Sequence, residues 1–125
     1  MTTYRLLPQR LEGSRVRLEA TGPDASRVVR LADGKAIGVV ELEYQGETIF
    51  LRSLCVDEAE RGYGAGSEAA WLLIDGAAVA GFTLLRAWAP PHLGLAVYFW
   101  ARMGFHALHG PGPDGGIWFE RALRR

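Results

Sequence analysis

An α/β fold, with a mixed, mainly antiparallel sheet, one parallel strand junction and two main helices, follows from three features of this 125-residue chain. Its first half alternates short strand-like segments with turn chemistry: Thr21-Gly22-Pro23-Asp24, Asp33-Gly34 and Gln45-Gly46-Glu47. The apolar run from Glu68 to Ala80 is far too long for a strand and is not β-branched, so it reads as a helix. That helix joins two strand-like segments, Thr48–Val56 and Phe82–Trp88. A strand–helix–strand unit of this kind makes its two strands parallel, with a right-handed crossover.

The elements follow in order. Tyr4–Leu7 and Arg15–Glu19 are short strands, the second alternating cleanly through Arg15, Val16, Arg17, Leu18 and Glu19. Arg27–Leu31 and Ala36–Tyr44 form a hairpin about Asp33-Gly34, and the next turn leads into the strand that ends at Val56. The helix that follows is apolar over most of its circumference. Glu68 and Asp75, seven apart, mark its solvent side. Gly76 inside it implies close packing or simple tolerance, and Gly81 ends it. After Phe82–Trp88, Pro90-Pro91-His92 stops the chain ahead of a second helix, Leu93–Met103, which Gly104 caps. Phe105–His109 and Ile117–Leu123 are the last strands. No repeat divides the chain, so residues 1–125 are expected to form one domain.

Composition narrows the partners. Hydrophobic residues make up 49% and charged ones 22%, which is ordinary globular chemistry. With 14 basic and 14 acidic residues the formal charge is zero, against nucleic-acid binding, which shows as a basic excess. The single Cys55 allows no internal disulfide and fits a reducing compartment; on a central strand it reads as a small buried apolar residue. Charges break up residues 1–18, and no apolar run is long enough to span a membrane. A cytoplasmic protein without membrane contact is the expectation.

The stretch Arg61-Gly62-Tyr63-Gly64-Ala65-Gly66-Ser67 connects the strand ending at Val56 to the first helix. Glycines remove Cβ atoms, so successive main-chain N–H groups can converge on an anion, and the helix N-terminus adds unbonded donors and the positive end of its dipole. The arrangement suits a phosphate. A P-loop is excluded, because the only Gly-Lys pair, Gly34-Lys35, precedes Ala36 in a hairpin. A dinucleotide site would need a carboxylate about 20 residues on, where residues 86–91 supply none. A plain strand-to-helix connection would leave Gly62, Gly64 and Gly66 behind Arg61 unexplained.

Val56-Asp57-Glu58-Ala59-Glu60-Arg61-Gly62-Tyr63-Gly64-Ala65-Gly66 resembles the acyl-CoA-binding motif of the GNAT N-acyltransferase superfamily, Arg/Gln-x-x-Gly-x-Gly/Ala, with Arg61, Gly64 and Gly66 in its fixed positions. Downstream, Ala96-Val97-Tyr98-Phe99-Trp100-Ala101-Arg102-Met103-Gly104-Phe105 resembles the family's later motif, Ala-x-x-Phe-Tyr-x-x-x-Gly-Phe. The resemblance implies an acetyl-CoA or related acyl-CoA co-substrate. The main-chain N–H groups of Gly62, Tyr63, Gly64, Ala65, Gly66 and Ser67 would hold its diphosphate. Leu54 and Val56 would pair with the pantetheine arm as an added strand would, and the thioester would lie where the two parallel strands splay apart. The reaction implied is transfer of the acyl group to an amine by direct attack, with no metal.

Departures from the family pattern bear on turnover. Trp100 stands where a Tyr often protonates the leaving thiolate, and Leu93 where an Asn is often found. Tyr98 is the nearest phenol, but two helical residues are about 200° of rotation, so it faces away. Glu41 and Glu43 share one strand face and Glu47 lies at the next turn; they are open to two readings, a general base reached directly or through water and a solvated strand face. His92, His106 and His109 form no ligand-like grouping. The family usually walls its acceptor site with two helices between the first and second strands, yet only about a turn fits here between Glu19 and Arg27. That leaves the acceptor side open, to a protein or peptide amine or to a second subunit in a homodimer. An exposed apolar patch beside the gap would favour the dimer. A CoA-binding or interaction module that kept the cradle and lost turnover is the alternative function.

Overall fold

The structure, a computed structural model, describes residues 6–60, 64–90, 94–108 and 115–123. Strands β1 (Arg10–Glu12), β2 (Val16–Gly22), β3 (Ala25–Arg30), β4 (Ala36–Gln45) and β5 (Thr48–Val56) form an antiparallel meander. A 3-10 turn at Glu58–Glu60 leads toward helix α1 (Ala65–Ala80), which crosses to β6 (Leu84–Ala89). Helix α2 (Gly94–Arg102), β7 (His106–Ala107) and β8 (Ile117–Ala122) complete one sheet in the order β1-β2-β3-β4-β5-β6-β8-β7. The β5–β6 pair is parallel and the other junctions are antiparallel, as the turn chemistry and the crossover helix imply.

Two strand expectations shift. Leu6 and Leu7 lie outside any strand, while Tyr4 falls outside the described residues; pairing begins after Pro8, at Arg10. This β1 carries Leu11 opposite Leu18 and against α1. A Cβ on Gly76 would come within 2.9 Å of both Leu11 methyls, so that glycine reflects close strand–helix approach. The segment after Gly104 is strand only at His106 and Ala107, because Phe105 turns into the core; His109 is outside the described residues.

Strand alternation places most of the buried strand residues on one face; Val29, level with Arg17, is buried on the other. Val16 and Leu18, Val40 and Leu42, Ile49 and Leu51, Leu85 and Ala87, and Phe119 pack with Ala69, Leu73 and Ala77 of α1 and with Trp100 of α2. Both helices lie on this side. Arg121, level with Leu85 on β8, shows it directly, donating to the Met103 carbonyl behind α2 at 2.8 Å and stacking over Trp71 of α1. The opposite face carries no helix among the described residues. It holds ion pairs instead: Arg17 and Arg27 with Glu19, Arg52 with Glu43, and Arg86 with Glu120. Phe50 and Trp118 meet edge to face at 5.5 Å beside Arg86. Sequence alternation explains the difference, since strands covered on both faces would be apolar at nearly every position.

One hydrogen-bond motif closes both helices. Gly81 (φ 95°) and Gly104 (φ 86°) adopt the left-handed conformation, and the buried phenylalanine after each donates its N–H back into the last turn, Phe82 to Ala77 and Phe105 to Trp100. These closures fix where β6 begins and where α2 ends, and so hold the ends of the site described next.

Candidate active site

Strand β5 has two different neighbours over its length. Against β4 it pairs from Thr48 to Val56, with a bulge at Arg52 between the pairs Leu42–Leu51 and Glu41–Ser53. Against β6 it pairs only from Thr48 to Leu51, where Leu51 meets Ala87. The sheet therefore opens beyond Leu51, at the bulge, into the gap expected between these two strands. The Asp57 N–H bonds the Ile37 carbonyl at 2.7 Å. With two-residue alternation this turns the main-chain groups of Leu54 and Val56 away from β4, toward the gap.

At the end of that gap α1 begins. Gly64 stands at its N-cap with φ 82° and no side-chain cap, so the first-turn donors are left to other partners. The Glu68 N–H reaches the Gly64 carbonyl at 3.0 Å, while no described residue accepts from the N–H groups of Ala65, Gly66 or Ser67. These residues line a cleft of about 350 Å3, closed on other sides by Val56, Glu60, Phe99 and Arg102. Converging N–H groups and a helix N-terminus make this wall an anion site in electrostatic terms. A larger cavity of about 690 Å3 abuts it near Glu60 and Ala65, lined by Val16, Leu31, Ile37 and Ala59 beside Ser14, Arg15 and Arg30. The smaller cleft is the one that the N–H groups of Ala65, Gly66 and Ser67 line. Arg61, Gly62 and Tyr63 lie outside the described residues.

Glu68 corrects an expectation. Its carboxylate does not mark a solvent side. It reaches across to the β1–β2 turn and accepts the Arg15 N–H at 2.7 Å, the Val16 N–H at 3.1 Å and the Ser14 hydroxyl at 3.2 Å. Partial burial would raise its pKa, but these donors outweigh it and hold the carboxyl below the usual range. The clamp brings the Arg15 guanidinium to 3.2 Å from the point a Cβ on Gly64 would occupy. Exposed Trp71, Asp75 and Val79 form the true outer face of α1.

The catalytic candidates separate. Glu41 stands on the bare sheet face at the opening of the gap and accepts the Ser53 hydroxyl at 2.8 Å. Glu43, level with Phe50, lies over the closed part of the β5–β6 ladder and is ion-paired with Arg52 at 2.7 Å. Tyr98 is 75% exposed and does not line the cleft, whereas Trp100 is 5% exposed between Phe99 and Phe105, at ring distances of 4.8 and 5.0 Å. Cys55 is exposed, against the expectation of burial, because it faces the bare side of the sheet opposite half-exposed Val39. Among the described residues no three of His, Cys, Asp and Glu group as metal ligands, and no helix is long and apolar enough to cross a membrane. Arg15 and Arg102, the cations beside the cleft, were not legible as site residues. Arg102 sits inside the later motif, yet only the placement of α2 across the cleft from the α1 N-terminus brings it to the site.

A splayed parallel pair ending in a glycine-bounded helix N-terminus is the arrangement that the resemblance to the GNAT superfamily implies. Residues 3–105 match the profile of the Acetyltransferase (GNAT) family, and the chain belongs to that family. No curated protein matches the chain. Among solved structures, the ribosomal-protein-S18-alanine N-acetyltransferase from Escherichia coli superposes with a TM-score of 0.69 at 17% identity, over 91% of this chain and 73% of that one. The PaiA N-acetyltransferase from Thermoplasma acidophilum, in complex with coenzyme A, gives 0.70 at 17% identity, over 80% and 62%. N-acetylglutamate synthase from Neisseria gonorrhoeae, complexed with coenzyme A and N-acetyl-glutamate, gives 0.68 at 19% identity, over 82% and 26%. At these identities the likeness establishes the shared fold.

Proposed function

We propose that this chain is an N-acetyltransferase that moves an acetyl or related acyl group from acyl-CoA to an amine. The observation that carries the reading is the set of N–H groups of Ala65, Gly66 and Ser67, which find no acceptor among the described residues, at the end of the opened β5–β6 ladder. The diphosphate sits on those donors, with Gly64 and, from the motif, Arg61, Gly62 and Tyr63 completing the loop. The pantetheine arm runs along Leu54 and Val56, and the thioester carbonyl reaches the bulge at Arg52. A neutral amine attacks that carbonyl, the C–N bond forms as the C–S bond breaks, and the amine proton leaves to a base. Placing both reactants supplies much of the acceleration. A thiol of pKa about 8.5 leaves without an obligatory acid, so the absence of a phenol at position 100 does not stop the reaction.

Glu41 is the base in this scheme, acting directly or through water, because it alone of the paired candidates stands at the opening of the gap. Glu41→Gln is expected to lower kcat about 100-fold, the scale of one general base, while leaving CoA affinity unchanged. The acceptor is a protein or peptide amine. Support comes from the ion pairs on the bare sheet face around the gap, which suit a solvated, extended partner better than an apolar subunit interface.

Burial of Trp100 in the core favours a second reading, a CoA-binding module without turnover. Thiol release against mixed peptide and small amines, beside calorimetric titration with CoA, separates the two. Binding with release identifies an enzyme, binding alone the module, and no binding removes both.

A further inference from the structure

We propose that Arg102 is the residue of α2 that grips the diphosphate of the acyl-CoA from the far wall of the cleft, and so makes the protein select a nucleotide-bearing thioester over its pantetheine fragment. The inference rests on the cofactor reading given above and adds to it a cation outside the glycine loop.

Arg102 ends α2 and lines the cleft together with Phe99, facing Gly64, Ala65, Gly66 and Ser67 on α1. Its guanidinium carbon lies 5.9 Å from the centre of the Phe99 ring. Stacking of this kind limits the rotamers of a long side chain and holds the planar group toward the opening. Seven other described cations are engaged: Arg17, Arg27, Arg30, Lys35, Arg52 and Arg86 pair with carboxylates, and Arg121 donates to a carbonyl. Arg102 has neither a carboxylate nor a carbonyl partner among the described residues. One carboxylate does line the cleft, Glu60, but Arg30 and Lys35 hold it from the other side and offset its charge. The cleft thus has main-chain donors on one wall and an uncommitted guanidinium on the other, the two-sided arrangement that a bidentate phosphate contact needs. A purely structural role, complementing the negative end of the α2 dipole, would explain an arginine in the last turn but not its partnership with the α1 N-terminus.

The test is titration of wild type, Arg102→Ala and Arg102→Lys with CoA, dephospho-CoA and pantetheine, by calorimetry for the first two and ligand-observed NMR for the third, with melting temperature in parallel. Arg102→Ala should weaken CoA and dephospho-CoA alike by about 10-fold, the scale of one charge-assisted contact at a partly exposed site, and leave pantetheine unchanged. Arg102→Lys should recover part of the loss. Equal CoA affinity in Arg102→Ala and wild type overturns the inference alone. So does a loss confined to CoA, which would put the arginine on the 3′-phosphate, or one shared by pantetheine, which would make the role structural. Failure of the wild type to bind CoA overturns the cofactor reading and this inference with it.

Discussion

Gly66 offers the sharpest test of the cradle. A Cβ there would meet only a Val56 methyl at 3.8 Å, an ordinary contact, and its φ is not in the left-handed region. At Gly64, by contrast, φ 82° strains any side chain, so a carboxylate introduced there would confound folding with charge. Gly66→Ala is expected to bind CoA as wild type does. Gly66→Asp should weaken it by more than about 100-fold, since like charges forced together cost several kcal/mol. Calorimetry on both variants checks the pair, and equal affinities would remove the anion from this wall. The glycine loop was legible because missing side chains are visible in a sequence. Arg15 and Arg102 were not, because each reaches the cleft only through an element brought from elsewhere in the chain. Cys55 differs from expectation for a similar reason: a central strand implies burial, but only the faces of the folded sheet decide it.

At the level of the elements, Glu68 joins α1 to the β1–β2 turn through three donors. Its folded-state pKa lies below that of an ordinary glutamate, so the stability it contributes is present above the ordinary value and is lost as pH falls through the depressed folded one. Glu68→Gln should therefore lower the melting temperature at pH 7 by a few degrees, corresponding to about 1 kcal/mol. Its effect should shrink toward pH 3, and thermal melts across that range check the sign. Gly104→Ala should cost more, about 2 kcal/mol, because it strains a residue at φ 86° and puts a methyl 2.0 Å from the Arg121 nitrogen that caps α2; chemical denaturation measures it. Hairpins, crossover and helix ends were all readable from local turn and cap chemistry. The Glu68 clamp was not, since helical periodicity registers a charge on a surface but not the turn more than fifty residues earlier that covers it.

Taken whole, the molecule is a sheet with helices on one side. A family that usually has two more helices at the acceptor site is here reduced to a turn at Pro23-Asp24, and the strands compensate with charged residues on the uncovered face. Two outcomes follow from the proposed peptide acceptor. Light scattering should give a monomer, and thiol release should be at least about 10-fold faster, in kcat/KM, with an N-terminal or lysine-bearing peptide than with a small free amine, the scale of one or two added contacts. A dimer in solution that prefers small amines would reverse the assignment.

The unfinished β5–β6 ladder has a thermodynamic corollary. A sheet that stops zipping at Leu51 and Ala87 carries a seam at its centre, so the Leu54 amide, turned toward that seam, should trade deuterium early in the apo protein. A tight ligand lying there would act as a missing rung. At 100 times its dissociation constant it would add about 2.7 kcal/mol of protection, concentrated along that seam and fading toward the outer strands.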